Sequence, residues 1–349
     1  MVSNDNFHSE PSLPELTPDL FVKADSLDVQ DNEKITAPSL SFMQDSWRRL
    51  KKNKVAMVSM VLLIIITLLS IFAPMIAPQS PNVQTIEHAN LPPKIPGLDI
   101  SGLNGTINQN GTRVDKYELQ GVESDVYYYL GTDSLGRDLL SRILYGTRVS
   151  LFIAFVAALL NLIIGVTYGL LSGWIGGKVD TVMQRILEIL SGVPNLVIVI
   201  LMLLVFDPGI MSIIIALALT EWISMARIVR AQTLKLKNQE YVLAAKTLGQ
   251  SSLSIAFKHI MPNLLGIIII QVMFSIPSAI FFEAFLSFIG IGIPAPDASL
   301  GTLINDGYKT FRFLPHLMWY PSAIMSIIMI SFNLLADGLR DSFDPKLRD

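Results

Sequence analysis

Residues 149–177 read VSLFIAFVAALLNLIIGVTYGLLSGWIGG, with no Asp, Glu, Lys or Arg among them. As a helix rising 1.5 Å per residue, such a run exceeds the roughly 20 apolar residues that cross a bilayer core about 30 Å thick. Four further stretches are equally free of charge: Val55–Ala77, Ile189–Phe206, Ile260–Phe282 and Phe313–Ala336. Only Ile189–Phe206 falls a little short of a full crossing. Across all 349 residues, 51% are hydrophobic and 16% charged, with a mean hydropathy of +0.50. A soluble globular chain carries about a quarter charged residues. A soluble enzyme is excluded.

A sixth span emerges from Gly209–Arg227, whose one charge before its end is Glu221. Asp207-Pro208-Gly209 reads as a tight turn, which makes the third and fourth spans a hairpin. The expected fold is therefore an all-α polytopic membrane protein with six transmembrane helices, near 55–77, 149–174, 184–206, 210–229, 263–290 and 316–337. Basic residues orient it by the positive-inside rule. Arg48–Lys54 carries five Lys or Arg before the first span, and Arg227, Arg230, Lys235, Lys237, Lys246 and Lys258 follow the fourth. The 207–210 turn has none, and 291–315 has only Lys309 and Arg312. Both termini and the 230–262 loop are expected in the cytoplasm. The 78–148 segment has six basic residues, but long loops translocate regardless of charge.

The overall charge of -3 hides an asymmetry: residues 1–40 sum to -6 and the rest to +3. That acidic stretch, rich in Pro, Ser and Asn and without periodicity, reads as a disordered cytoplasmic tail. The basic run behind it and the long apolar block that follows suit a retained first span rather than a cleaved leader. The remaining divisions are 41–77 for the basic segment and first span, 78–148 for a large extracytoplasmic loop, 149–337 for the core, and 338–349 for a cytoplasmic tail. With no cysteine there is no disulfide framework or thiolate site.

Within the outer loop, Asn104-Gly105-Thr106 and Asn110-Gly111-Thr112 match the glycosylation pattern, which polar loops also produce by chance. Residues 131–151 read as a capped amphipathic helix entering span two, with Leu139, Leu140, Ile143 and Leu144 on its apolar face; Asp133, Arg137, Asp138 and Arg142 are among its charged members. Gly165, Gly169, Gly173 and Gly177 recur every four residues. Such a stripe lets a second helix backbone approach closely; its bland reading is that glycine is common in membrane helices.

Missing chemistry narrows the function. His8, His88, His259 and His316 are scattered, and no P-loop is present, so the chain has neither a metal-ligand spacing nor its own ATP cradle. It also lacks the Arg ladder of a voltage sensor and a selectivity-filter motif. Glu221 and Glu283 lie in or at the ends of spans, where a carboxylate is costly and marks a candidate for translocation or gating; anchoring at the interface is the other reading for each. Glu283 falls roughly 30 Å along its helix from Pro262.

The most informative segment is Asn238–Asn263. Asn238 is expected to cap a short helix whose positive end suits Glu240. Tyr241, Ala245 and Leu248 then share one face, and Gly249 ends the helix in a left-handed conformation. Such a helix fits a groove on another protein or the surface of a membrane, and its composition does not choose between them.

Ala244-Ala245 with Gly249, followed by His259-Ile260 and Pro262, resembles the EAA loop of ABC importer permeases. Leu243 stands where that loop has its consensus acid; Glu240 is the nearest carboxylate. Gly131-Thr132-Asp133 with Gly136-Arg137-Asp138, Glu283–Phe288 with Gly290 and Gly292, and Asp337–Asp341 with Asp344-Pro345 resemble the C-type subunit of the oligopeptide/dipeptide branch. The resemblance runs over about 40–349 and implies a type I importer permease in the bacterial inner membrane. It implies Glu240, Tyr241, Ala244, Ala245, Gly249, His259 and Pro262 as the ATPase-coupling residues. It implies a B-type permease partner, two ATP-binding subunits that hold ATP and Mg, and an extracytoplasmic peptide-binding protein, with no cofactor on this chain, no nucleic acid and surrounding lipid. Import of nickel or another small ligand, and an ion-coupled secondary transporter, are the alternatives; the second would need mid-span carboxylates and an inverted repeat.

Overall fold

The computed structural model describes residues 42–109 and 111–343. The acidic tail 1–40, Asn110 of the second glycosylation pattern and Asp344-Pro345 lie outside them. The chain divides at Asp45 and Ser46 into a short N-terminal unit and a unit holding everything below. Helix α1 is Phe42–Leu50.

Helix α2, Lys54–Ile71, starts where Asn53 accepts a hydrogen bond from the Ala56 amide at 3.1 Å. A single turn, α3 (Ala73–Ile76), follows it. The expected outer loop then builds a small core of its own. Strands β1 (Thr106–Gln109) and β2 (Thr112–Asp115) pair antiparallel, Thr106 opposite Asp115, and lead into α4 (Lys116–Leu119). Tyr117 and Tyr128 are buried with Leu91 and Val122. Tyr117 donates to the Pro92 carbonyl at 2.9 Å, and Tyr128 shares a 2.7 Å hydrogen bond with His88. Asn104 accepts from Thr106 and donates to Asp99, so its amide is engaged locally.

Helix α5 runs unbroken from Leu139 to Ile175. The expected amphipathic helix from 131 is corrected over its first eight residues: Gly131–Asp138 is a closed loop with Thr132 bridging Asp138, and Asp138 caps α5. Beyond it, Leu139 and Ile143 are buried as expected. The glycine stripe is a packing seam. A methyl group on Gly165 would stand 2.6 Å from Met225 Cβ, and one on Gly173 would stand 2.8 Å from Thr233 Cβ. Both neighbours lie on α9 (Trp222–Lys237). In lipid no hydrophobic force draws helices together, so close backbone contact and polar bonds must do it. Gly177 is not part of the seam; it opens α6 (Gly177–Ser191).

The expected third span is broken. Helices α6 and α7 (Asn195–Val205) meet at 78°. Pro194 lacks an N–H and drives Val193 out of helical geometry, which the apolar run alone did not reveal. Helix α8 (Ile210–Thr220) continues into α9 across Glu221. A short helix α10 (Glu240–Thr247) is followed by α11 (Ser252–Ile255), a π-turn at Ala256–Ile260, and α12 (Met261–Phe288). The chain closes with α13 (Leu300–Lys309) and α14 (His316–Phe343). Five of these segments are long and apolar enough to cross a membrane: α2, α5, α8 with α9, Ser252–Phe288, and α14; the bent pair α6 and α7 would make a sixth. The core gathers Ile153, Ala154, Ile213, Leu217, Ile280 and Phe332 around α5.

Candidate coupling site

Helix α10 begins at Glu240 because Asn238 ends the helix before it. Asn238 caps α9 with its side chain turned to the Leu234 carbonyl, and Gln239 holds the N-cap of α10 without a side-chain bond; the expected Asn238 cap is corrected. The exit from α10 is a Schellman turn. The Gly249 amide bonds the Lys246 carbonyl at 3.0 Å, and the Gln250 amide reaches the Ala245 carbonyl at 3.1 Å. Gly249 sits at φ +78°, where a side chain would be strained.

The face that α10 buries is not the expected one. Val242 and Ala245 pack inward against Ile255, Ala256, Ile260 and Leu264 of this same chain. Tyr241 is exposed and Leu248 is 86% exposed, so Tyr241, Ala245 and Leu248 do not form a shared contact face. A second apolar set stands outward instead: Leu243, Leu248, Leu253 and Phe257. Burying Val242 and Ala245 internally turns Leu243 and Leu248 outward, and Leu253 and Phe257 stand out from α11 and the π-turn that follow. His259 bonds Gln250 at 2.9 Å, holding the two ends of the 250–259 segment together. Pro262 lies in the first turn of α12, directly after the π-turn, and can donate no hydrogen bond back into it.

Trp174 ties this segment to the end of α5, and it was not singled out in the sequence. Its Nε1 donates to Ser252 at 2.8 Å, its carbonyl accepts from Lys237 at 2.5 Å, and Lys246 lies 5.1 Å from its ring centroid. A tryptophan beside the Gly176-Gly177 break, at the end of an otherwise uncharged span, was the available signal. Nearby, Arg230 grips Asp180 through two 2.6 Å bonds and clasps α6 to α9.

The remaining candidates fall elsewhere. Asp133 bonds Arg137 at 2.7 Å and accepts the Leu135 and Arg137 amides, while Arg142 stands 3.6 Å from it. Asp138 accepts from the Ser141 amide and hydroxyl at 2.8 and 2.6 Å. Glu283 has no exposed surface and receives hydrogen bonds from Ser150 at 2.9 Å and Ser287 at 2.8 Å. Such burial overturns the reading of Glu283 as an interface anchor. It clasps α5 to α12, and Ser150 in turn accepts the first amide of α13 at 3.1 Å. Glu221 sits half-buried at the junction of α8 and α9, so the two glutamates do not form one site.

A bundle of apolar helices long enough to cross a bilayer several times defines a multi-pass integral membrane protein. Its sequence places it more narrowly. Residues 165–349 match the family described as binding-protein-dependent transport system inner membrane component, and residues 41–93 match the N-terminal TM domain of oligopeptide transport permease C. The chain belongs to the binding-protein-dependent transport system inner membrane component family. It is 47% identical to the dipeptide transport system permease protein DppC of Lactococcus lactis, over 93% of this chain and 97% of that one. Identity to the oligopeptide transport system permease protein OppC of Escherichia coli is 37%, over 91% and 95%. A solved structure of the MetNI methionine ABC transporter, in an inward-facing conformation, shares the fold with a TM-score of 0.50 at 16% identity, over 59% of this chain and 98% of that one. The fold is that of an ABC importer permease.

Proposed function

We propose that this chain is one half of the membrane pathway of an ATP-driven importer of dipeptides or oligopeptides in the bacterial inner membrane. A B-type permease forms the other half, two subunits bind ATP with Mg on the cytoplasmic side, and a peptide-binding protein delivers substrate from outside. The chain crosses six times, with the bent α6–α7 pair as the third crossing, and its basic segments keep both termini and the 238–262 segment in the cytoplasm. The observation that carries this reading is the outward apolar set of Leu243, Leu248, Leu253 and Phe257 on a segment whose other side is fixed to the chain's own core. Four large apolar side chains exposed within fifteen residues are more than scattered surface apolars, and suit a contact surface.

The chain performs no reaction. Closure of the ATPase dimer moves the Glu240–Pro262 segment, and Trp174, Val242 and Ala245 pass that movement to α5 and α12, through the contacts given above. Energy enters as a difference in contacts between inward and outward states. Glu283 and its serines keep α5, α12 and α13 moving as one body. Reconstitution in vesicles tests the reading: labelled dipeptide should accumulate only when ATP, both ATPase subunits and the binding protein are present. Accumulation driven by an ion gradient without ATP would assign the chain to another class of transporter.

A further inference from the structure

A cavity of about 230 Å³ opens beside Arg137 and Arg142, against the 290–297 loop and α13. Arg137, Arg142 and Lys309 set three cations around it, and Asp297 and Asp306 set two carboxylates. Arg142 is 2% exposed, yet its Nε and Nη1 have no hydrogen-bond partner among the described residues. Its ion pairs are loose. Asp133 lies 3.6 Å from Nε and Asp306 lies 3.9 Å from Nη2. Asp133 is committed to Arg137 and to two backbone amides.

A guanidinium presents five donors in a planar fork that matches a carboxylate, and donors left unmade in a buried place are costly. Shielded from water, a charge-assisted bond to an entering carboxylate is strong. The cavity is smaller than the about 300–1,000 Å³ typical of pockets for drug-sized ligands, so it suits a peptide of two residues. Its mixed lining also matters. An acidic side chain from a docking protein brings only negative charge, which Asp297 and Asp306 oppose. A short peptide with free ends brings a carboxylate and an ammonium together.

We propose that this cavity receives an incoming dipeptide whole, with its C-terminal carboxylate on Arg142 and Lys309 and its ammonium toward Asp297 and Asp306. The proposal rests on the peptide-import reading. It gives the chain a reception site of its own, separate from the binding protein.

The test is uptake by the complete reconstituted transporter, with one binding protein throughout, of a dipeptide and of the same dipeptide as its C-terminal amide. Wild type is compared with Arg142→Gln and with Lys309→Gln. Lys309 is a largely exposed side chain whose ammonium lies 3.5 Å from Asp306, a surface pair that an entering carboxylate and ammonium can replace, so its variant keeps the test alive where Arg142→Gln fails to assemble. The expected result is a KM for the free acid raised about fivefold or more in Lys309→Gln with the amide's KM unchanged. An unchanged acid-to-amide ratio overturns the site while leaving peptide import standing. An equal rise for both peptides assigns the cations to a carboxylate on the binding protein and also overturns it. A wild-type transporter that imports neither peptide overturns the import reading itself.

Discussion

Lys246 of α10 lies over the ring of Trp174 at the end of α5, with its ammonium 5.1 Å from the ring centroid. Two side chains 72 positions apart are thereby joined where the 238–262 segment meets α5. Lys237 approaches the same ring at 5.7 Å, and Ser252 holds its indole N–H. One side chain thus fastens the segment from three directions.

Trp174→Ala should therefore reduce peptide-stimulated ATP hydrolysis more than it reduces insertion or assembly. The lost terms are a cation–π contact of about 0.5–1 kcal/mol and a hydrogen bond of about 1 kcal/mol. Trp174→Phe keeps the ring and loses only the bond to Ser252, so it should retain most of the coupling. Full coupling in Trp174→Ala, measured on the reconstituted complex, would remove this residue from the transmission path.

The glycine seam makes a prediction about packing. Gly169 faces Val229 Cβ at 2.8 Å from where its own Cβ would be, so Gly169→Val must push α5 away from α9. Overpacking of this kind costs about 1–3 kcal/mol, and the detergent-solubilised complex should melt earlier by several degrees. Gly209→Ala, where nothing stands within 4 Å of an added Cβ, is the control. Equal melting for both variants would mean the seam relaxes freely.

That seam was legible in the sequence because small residues every four positions have one simple use in a membrane helix. The spans were legible for a similar reason: lipid demands length and apolarity, and both can be counted. What stayed hidden depended on direction rather than composition. The run Ile189–Phe206 looks like one helix until Pro194 bends it. Gly131–Asp138 looks amphipathic because its charges are spaced helically, yet Asp133 spends its carboxylate on the amides of a turn. Ala245 was assigned to the correct helix and the wrong partner, since a small residue suits an internal contact as well as an external one. Trp174 gave no periodic signal at all.

Asp138 carries a pH prediction. Burial raises its pKa above the ordinary 3.8, while the Ser141 amide and hydroxyl pull the other way. The fold thus holds this proton more tightly than the unfolded chain does. Asp138's contribution is fully present below the unfolded value and falls away as pH rises through the folded one. Asp138→Asn retains a capping oxygen without a charge to bury, whereas Asp138→Ala removes a cap worth about 0.5–2 kcal/mol. Melting curves from about pH 4 to about pH 8 should show a flatter dependence for the Asn variant than for wild type. A dependence as steep as wild type would assign it to another group.

Threading can be mapped by single cysteines, since the chain has none of its own. Leu119→Cys and Phe313→Cys, both at exposed positions, should react with an impermeant thiol reagent added to intact cells. Lys235→Cys should react only after the membrane is opened. External labelling at 235 would invert the orientation and take the ATPase contact with it.

The coupling segment gives the sharpest test, and the burial of its residues decides which substitution to use. Ala245→Arg would force a charge against Val242 and Ile255 of the same chain, at several kcal/mol, so its failure would report on folding. Leu248→Arg is the informative change, because Leu248 is largely exposed and supports nothing internal. The variant should insert, assemble with its permease partner and melt like wild type, while losing peptide uptake and peptide-stimulated ATP hydrolysis together. Leu253→Arg, on the same outward set, should behave alike. A helix resting on lipid makes the opposite forecast, since an added cation strengthens contact with an anionic surface by about 1 kcal/mol. Unimpaired uptake in Leu248→Arg and Leu253→Arg, with both proteins folded, would leave the outward apolar set without an ATPase to bind.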